Sequence, residues 1–140
     1  MQSVNQQTLN TLLEHAHGAM KHAYAPYSGF HVGAALLATD GTIYCGANIE
    51  NASYGATNCA ERTALFTAVY AGCRDFSALA VTCSGDHVPY PCGICLQALS
   101  EFCPGSMTVI MQSQDGITET MSLSELLPHA FTKEELDTTI

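Results

Sequence analysis

Val32 to Ala38 form an uninterrupted apolar run, Val-Gly-Ala-Ala-Leu-Leu-Ala, which constrains the fold more than any other part of the sequence. A short continuous run of this kind predicts a buried strand. The Asp40-Gly41 pair directly after it is typical of a tight turn, so Ile43 to Ala47 is expected to return antiparallel. This hairpin is the predicted beginning of the central sheet.

The rest of the chain alternates helical and strand patterns. Apolar residues recur at helical spacing from Leu9 to Ala23, and Ala25-Pro26-Tyr27-Ser28-Gly29 ends that helix. Later patterns predict helices from Cys59 towards Gly72, from Cys92 through Phe102, at Ser124 to Leu127 and at Lys133 to Ile140, and strands at Phe76 to Cys83, at Met107 to Met111 and after Gly116. Strands that are joined through helices are expected to be parallel. The predicted fold is α/β, a three-layer α/β/α arrangement with a mixed five-stranded sheet, in one domain over residues 1–140.

Charge limits the kinds of partner this chain can have. Of its 140 residues only 12% are charged and 47% are hydrophobic, and the net charge is -9. The four basic residues are scattered: Lys21, Arg62, Arg74 and Lys133. Without a basic patch, nucleic acid and anionic membrane are not expected as partners, whereas an uncharged small molecule is compatible. So few surface charges also favour a homo-oligomer.

Cysteine usage favours metal binding or catalysis over disulfides. The seven cysteines are an odd number, and the polar segment Met1 to Leu13 has no apolar run of the signal-peptide type. No stretch approaches transmembrane length. The expected compartment is the reducing cytoplasm, where grouped cysteines indicate metal sites or reactive thiols.

Three cysteines fall at the predicted starts of two helices. Cys92 and Cys95 are three residues apart, so one helical turn presents both sulfurs to a single ion, and Cys59 begins the other helix. In α/β sheets, sites form where helices start after strands. Three thiolates on Zn²⁺ leave the fourth tetrahedral position open, which is the catalytic arrangement. A closed structural site would need a fourth ligand, for which the candidates are Cys83, His87 and Cys103.

Glu61 lies two residues after Cys59, close enough to reach a water on the metal. Cys-x-Glu followed by Pro-Cys-x-x-Cys matches the zinc and proton-transfer pattern of nucleobase deaminases. Two simpler interpretations remain open. Asn58 and Glu61 have the spacing of a capping box, and Cys92 with Cys95 could be a thioredoxin-type redox pair, which would leave Cys59 and Glu61 unexplained.

Arg62 is the basic residue nearest to the cysteines. Zinc with three thiolates carries a net charge of -1, which two helix N-termini offset in part. Arg62 is a candidate to donate hydrogen bonds to these thiolates without binding the metal itself. The alternative is an ordinary solvated arginine on a helix surface.

Five segments in order resemble the small zinc cytidine deaminases of pyrimidine salvage. They are Tyr27-Ser28-Gly29-Phe30 with Val32-Gly33-Ala34-Ala35-Leu36; Gly46-Ala47-Asn48-Ile49-Glu50-Asn51-Ala52-Ser53-Tyr54-Gly55; Asn58-Cys59-Ala60-Glu61-Arg62-Thr63-Ala64; Pro91-Cys92-Gly93-Ile94-Cys95 with Gln97; and Leu126-Leu127-Pro128 with Phe131. They span nearly the whole chain. The sequence departs from this family at Leu96, where an arginine usually follows the second cysteine of Pro-Cys-x-x-Cys.

The resemblance implies a role for each matching residue. Asn48 and Glu50 would bind the ribose hydroxyls, Phe30 would pack on the nucleoside, and the Ala60 backbone would contact the pyrimidine carbonyl. Tyr54 would reach across a subunit interface, and Phe131 would stack on the base in a neighbour's site, as in a homotetramer. From the residues alone, Asn48 and Glu50 are also consistent with ordinary polar alternation, and Phe131 with a core anchor for the C-terminal segment.

The sequence therefore predicts hydrolytic deamination of cytidine and deoxycytidine to uridine and deoxyuridine, with release of ammonia. A zinc-bound hydroxide would attack C4 of the base, and Glu61 would shuttle the protons. The rival interpretations are a deaminase for a modified cytosine nucleoside such as blasticidin S, a thiol oxidoreductase, and a structural-zinc interaction module. A polynucleotide deaminase conflicts with the acidic charge.

Overall fold

The computed structural model describes residues 4–137. The long helices are α1 (Gln6–Met20), α2 (Ala60–Tyr70) and α3 (Gly93–Phe102), and the short ones are α4 (Leu123–Leu126) and α5 (Lys133–Asp137). The strands are β1 (Val32–Ala38), β2 (Ile43–Ala47), β3 (Phe76–Cys83), β4 (Thr108–Gln112) and β5 (Thr118–Ser122). A single 3-10 turn, Tyr54–Ala56, lies between β2 and α2.

The five strands form one mixed sheet in the order β2-β1-β3-β4-β5. β1 pairs antiparallel with β2 and with β3, β3 pairs parallel with β4 through α3, and β5 closes the edge antiparallel to β4. The predicted hairpin and the predicted mixed five-stranded sheet are both confirmed. β2 and β3 run in the same direction, because both are antiparallel to β1, so their carboxyl ends lie at the same end of the sheet. The N-termini of α2 and α3, which follow these two strands, therefore lie at that end as well.

Helices cover both faces of this sheet, because alternate residues of each central strand point in opposite directions. On one face, α1 packs its buried side chains, including Leu12 and Ala16, against Ala35, Ala80 and Ile110. The opposite face forms a larger cluster with α2 and α3, whose members include Leu36, Leu79, Val109, Leu65 and Leu99. Fully burying a leucine side chain contributes about 1.5–3 kcal/mol, so these two clusters account for the predicted α/β/α layering.

Two glycines allow the helices to lie against the sheet. A Cβ at Gly33 on β1 would lie 2.0 Å from the Ala16 carbonyl oxygen of α1. A Cβ at Gly46 on β2 would lie 2.4 Å from the Ala64 amide nitrogen and 2.6 Å from the Ala60 carbonyl oxygen of α2. Glycine is therefore required at both contacts, and Gly46 sets the distance between the sheet and the first turn of α2.

Helix boundaries differ modestly from the predicted ones. α1 starts three residues before Leu9, because the side chain of Asn5 accepts a hydrogen bond from the Thr8 amide and caps the helix. It ends at Met20 rather than Ala23, since the Tyr24 amide donates to the Asn48 carbonyl and draws the chain into an extended bridge. The last three residues of the predicted terminal helix, 138–140, lie outside the described range.

Candidate active site

Cys59 and Cys92 occupy the N-cap positions of α2 and α3, as predicted for two helix starts. Neither side chain makes a capping hydrogen bond, so both sulfurs are available to a ligand. Cys95 lies in the first turn of α3 and is completely buried. The folded chain thus brings the Cys59 sulfur to those of Cys92 and Cys95, which lie 33 and 36 residues further along the sequence.

The geometry of the three sulfurs fits a zinc ion. The three Sγ atoms all lie within 4.8 Å of one another, and those of Cys59 and Cys92 are 3.9 Å apart. In a tetrahedral Zn–thiolate site with bonds of about 2.3 Å, two sulfurs are separated by about 3.8 Å. Among residues 4–137, no fourth His, Cys, Asp or Glu joins this group. Of the candidate fourth ligands, Cys83 uses its thiol to donate to the carbonyls of Gly85 and His87.

Arg62 contacts two of these sulfurs directly. Its Nε donates to the Cys95 sulfur and its Nη2 to the Cys59 sulfur, both at 3.4 Å. A hydrogen bond from the Cys95 thiol, followed by those from Arg62 and Cys92, lowers the pKa of Cys59 to about 5. The hydrogen bond to Cys59 and burial both raise the pKa of Cys95. The Arg62 guanidinium therefore lies next to the sulfurs that would carry negative charge when the metal binds.

Glu61 lies in the first turn of α2 and is only 5% exposed. Burial, with a smaller contribution from the Cys59 sulfur, raises the pKa of Glu61 to about 7. The capping-box interpretation is wrong, because the N-cap is Cys59 and the side-chain Nδ2 of Asn58 donates instead to the Thr63 hydroxyl. A buried carboxyl whose pKa is near neutral has the property expected of a group that exchanges protons during a reaction.

A cavity of about 520 Å³ opens onto this cluster. It is lined by most of the residues that were predicted to contact substrate or metal: Phe30, Asn48, Glu50, Cys59, Ala60, Glu61 and Cys92. Such a volume is in the range of small-molecule sites. Cys95 and Arg62 are not among the residues that line the cavity.

Asn48 and Glu50 are held by the segment that leads into β1. The Asn48 side chain is buried, accepts from the Val32 amide at 2.9 Å and donates to the Phe30 carbonyl at 2.7 Å. Glu50 accepts hydrogen bonds from the Ser28 hydroxyl and from the backbone amides of Ser28 and Tyr27, and these bonds lower the pKa of Glu50, the hydroxyl most of all. Both side chains are therefore fixed in one orientation at the cavity wall.

Tyr54 and Phe131 lie outside this cavity. Tyr54 is 78% exposed and lines a smaller adjoining cavity that shares Glu50 with the first. Phe131 is 59% exposed, its carbonyl accepts from the Gln97 side chain at 2.6 Å, and it borders a separate cavity against α3. Its exposure rules out the core-anchor interpretation. Neither residue reaches the sulfur cluster of its own chain.

Sequence reasoning did not identify the segment that forms the remaining wall of the cavity. Val88, Pro89 and Tyr90 line it, and the Tyr90 hydroxyl donates a hydrogen bond to Glu119 on β5. Their position directly before Pro91-Cys92 was the available signal, because a residue next to a metal-ligand motif must lie close to the metal.

Leu96 is buried in the core cluster that α2 and α3 build over the sheet.

Comparisons with known proteins agree on one family. The model for the cytidine and deoxycytidylate deaminase zinc-binding region matches residues 6–111. A cytidine deaminase from Sporosarcina psychrophila is 53% identical over 125 residues, covering 89% of this chain and 92% of that protein. One from Halalkalibacterium halodurans is 50% identical over 126 residues, covering 90% and 96%.

Solved structures give the same result. The crystal structure of cytidine deaminase from Burkholderia pseudomallei matches with a TM-score of 0.85 and 46% identity, covering 87% of this chain and 98% of that one. That of the Mycobacterium tuberculosis enzyme matches with a TM-score of 0.77 and 38% identity, covering 87% and 95%. Together with the three-sulfur cluster, these matches confirm the predicted resemblance: the chain belongs to the zinc-dependent hydrolytic deaminases of the cytidine and deoxycytidylate deaminase family.

Proposed function

We infer that this protein hydrolyses cytidine and deoxycytidine to uridine and deoxyuridine, releasing ammonia, in pyrimidine salvage in the cytoplasm. The observation that carries this inference is the placement of three zinc-compatible sulfurs and a buried carboxyl at one cavity of nucleoside size. The relatives from Sporosarcina and Halalkalibacterium bear the name cytidine deaminase.

Cys59, Cys92 and Cys95 would hold the zinc, with the cavity in front of the sulfurs of Cys59 and Cys92. When bound, zinc supplies a water of lowered pKa that serves as a nucleophile near neutral pH. Arg62 offsets thiolate charge through its two hydrogen bonds to the sulfurs. Its role is electrostatic, because it does not line the cavity.

Glu61 is the proton-transfer group of this proposal. It accepts a proton from the attacking water, delivers it to N3 of the base, and later helps protonate the departing amine at C4. The net change is the addition of one water to cytidine and the loss of one ammonia. A pKa near 7 suits both directions of transfer, because the carboxyl is neither too acidic to release a proton nor too basic to accept one near neutral pH.

The cavity wall would hold the nucleoside in place. Asn48 and Glu50 bind the ribose hydroxyls, the Phe30 ring packs on the nucleoside, and the Ala60 backbone contacts the pyrimidine carbonyl. The lining carries two carboxyl groups and no basic side chain. This arrangement suits an uncharged nucleoside.

A homotetramer with shared active sites completes the proposal. Phe131 and Tyr54 are largely exposed and lie outside the cavity of their own chain, which suits residues that act in or beside a neighbour's site. Their exposure leaves both rings accessible to a neighbouring subunit of a symmetric oligomer. Among residues 4–137, no helix has the length and apolar character needed to cross a membrane.

The decisive experiment follows the ultraviolet absorbance of cytidine with the zinc-loaded protein, with and without a chelator, and with Glu61→Gln. The parent protein is expected to bind about one zinc per chain and to lose activity on chelation. Glutamine has nearly the same volume as glutamate, so Glu61→Gln should retain zinc. Turnover should fall about 10²–10⁴-fold, since only proton transfer is removed. Activity of the variant within about tenfold of the parent would contradict the role of Glu61. A parent without activity on cytidine would contradict the proposed substrate.

A further inference from the structure

Ser28 connects two walls of the candidate active site through one hydroxyl group. Its Oγ donates to Oε2 of Glu50 and accepts a hydrogen bond from the Phe30 amide at 3.0 Å. It lines the main cavity and the adjoining one. One small side chain thus contacts both the carboxylate proposed to bind the sugar and the backbone that carries the aromatic ring.

The carboxylate of Glu50 is nearly saturated by this segment. Its Oε1 accepts from the amides of Tyr27 at 3.0 Å and Ser28 at 3.1 Å, and its Oε2 accepts from the Ser28 hydroxyl. A carboxylate has about four acceptor positions, so about one remains, on Oε2. The two backbone amides thereby leave Oε2 as the oxygen for a hydroxyl in the cavity, and the Ser28 hydroxyl determines which of its two acceptor positions stays open.

The segment that carries Ser28 is itself anchored to the segment after β2 that carries Glu50. The Glu50 amide donates to the Tyr24 carbonyl at 2.8 Å, and the Gly29 amide donates to the Ala25 carbonyl at 2.9 Å. Gly29 has a φ of 69°, in the left-handed region that favours glycine, and this reverses the chain between Ser28 and Phe30. The turn is therefore rigid enough for its hydroxyl to impose an orientation on Glu50.

We propose that Ser28 is a positioning residue for nucleoside binding, which orients Glu50 so that one carboxylate oxygen accepts a ribose hydroxyl. The inference rests on the proposed function, because it takes Glu50 as the ribose ligand. Without the Ser28 hydroxyl, only the two amides on Oε1 hold the carboxylate, so Oε2 can turn about them or bind water, and a nucleoside must reorder it on binding. The loss should fall on nucleoside affinity and leave the proton-transfer machinery at Glu61 in place.

The test compares Ser28→Ala, Ser28→Thr and Ser84→Ala in the zinc-loaded protein. Ser84 is a matched control, since its Oγ also accepts a backbone amide, that of His31 at 3.0 Å, but does not contact Glu50. Ser28→Ala is expected to raise KM for cytidine about 5- to 20-fold, the loss expected for one charge-assisted hydrogen bond, with kcat changed less than about threefold. Ser28→Thr keeps the hydroxyl and should recover most of the affinity, and Ser84→Ala should change KM less than about twofold.

A nucleoside without the 2′ and 3′ hydroxyls separates positioning of Glu50 from a general loosening of the turn. Isothermal calorimetry measures the affinity for uridine and for 2′,3′-dideoxyuridine, so that the result does not depend on turnover. Ser28→Ala should weaken uridine binding by about the same factor as KM and leave dideoxyuridine binding unchanged. Equal weakening of both nucleosides, or no weakening of uridine binding, would overturn the proposal. A parent protein that does not deaminate cytidine would instead overturn the proposed function.

Discussion

Gly46→Ala tests whether close packing of α2 on the sheet determines the geometry of the active site. The added methyl would lie 2.4 Å from the Ala64 amide nitrogen and 2.6 Å from the Ala60 carbonyl oxygen. Ordinary carbon contacts begin near 3.4 Å, so α2 has to withdraw from β2 by about 1 Å. The end of α2 that moves carries Cys59 and Glu61.

The size of the effect follows from this displacement. Overpacking of a well-packed interior costs about 1–3 kcal/mol of unfolding free energy, which corresponds to a fall in Tm of about 3–10 °C for a chain of this length. A misplacement of about 1 Å between catalytic groups and substrate costs up to about 10²-fold in rate. We therefore expect kcat/KM for cytidine to fall about 10- to 100-fold at a temperature where the variant stays folded.

Two further glycine variants serve as controls for thermal unfolding and steady-state kinetics. Gly33→Ala forces an equally close contact, 2.0 Å from the Ala16 carbonyl oxygen, but against α1, which contributes nothing to the cavity lining. It should lower Tm comparably and leave kcat/KM within about threefold of the parent. Gly18 has open space around it in α1, so Gly18→Ala should raise stability by up to about 1 kcal/mol. Parental kcat/KM in Gly46→Ala, or equal losses of activity in Gly33→Ala and Gly46→Ala, would refute the argument.

Three other substitutions test separate features. Arg62→Gln removes the guanidinium hydrogen bonds to two sulfurs, so less of the thiolate charge is offset. We expect kcat to fall about tenfold or more while KM changes less than about threefold. An unchanged kcat would contradict this electrostatic role. Ser122→Ala breaks the capping box with Glu125 at the start of α4 and should cost about 1 kcal/mol in chemical denaturation without a change in kcat/KM. Thr82 has a fully buried hydroxyl without a hydrogen-bond partner among residues 4–137. Thr82→Val should therefore stabilise the protein by about 1 kcal/mol. A lower Tm would show that a buried water pairs with this hydroxyl.

The sheet was predictable because its signals are local. The apolar run Val32 to Ala38 and the Asp40-Gly41 turn determine a hairpin whatever follows, and the structure places β1 and β2 at the predicted residues. β3 likewise has its predicted bounds. The C-terminal limit of α1 was not predictable, because Tyr24 leaves the helix to pair with Ile49, a contact that depends on the folded position of β2.

The candidate site was likewise predictable only where its signals are local. Sequence spacing alone indicated that Cys59, Cys92 and Cys95 converge, since each lies at the start of a helix that follows a strand. It left the orientation of Glu61 and Arg62 open, because the direction in which α2 side chains point depends on how α2 is rotated against β2 and α3. Packing at Gly46 fixes that rotation, which buries Glu61 and turns Arg62 towards the sulfurs.

Arg62 links the compensation of thiolate charge to the relative position of α2 and α3. Its guanidinium, carried by α2, donates to Cys59 at the start of the same helix and to Cys95 in the first turn of α3. Leu96, at the position where the family usually has arginine, is buried in the core and cannot share this task. A rigid planar donor suits two acceptors on different helices better than a lysine would, because its nitrogens lie in one fixed plane. Any shift of α2 relative to α3 must therefore disturb the sulfur positions and their electrostatic compensation together, which is why the effects of Gly46→Ala and Arg62→Gln should be non-additive.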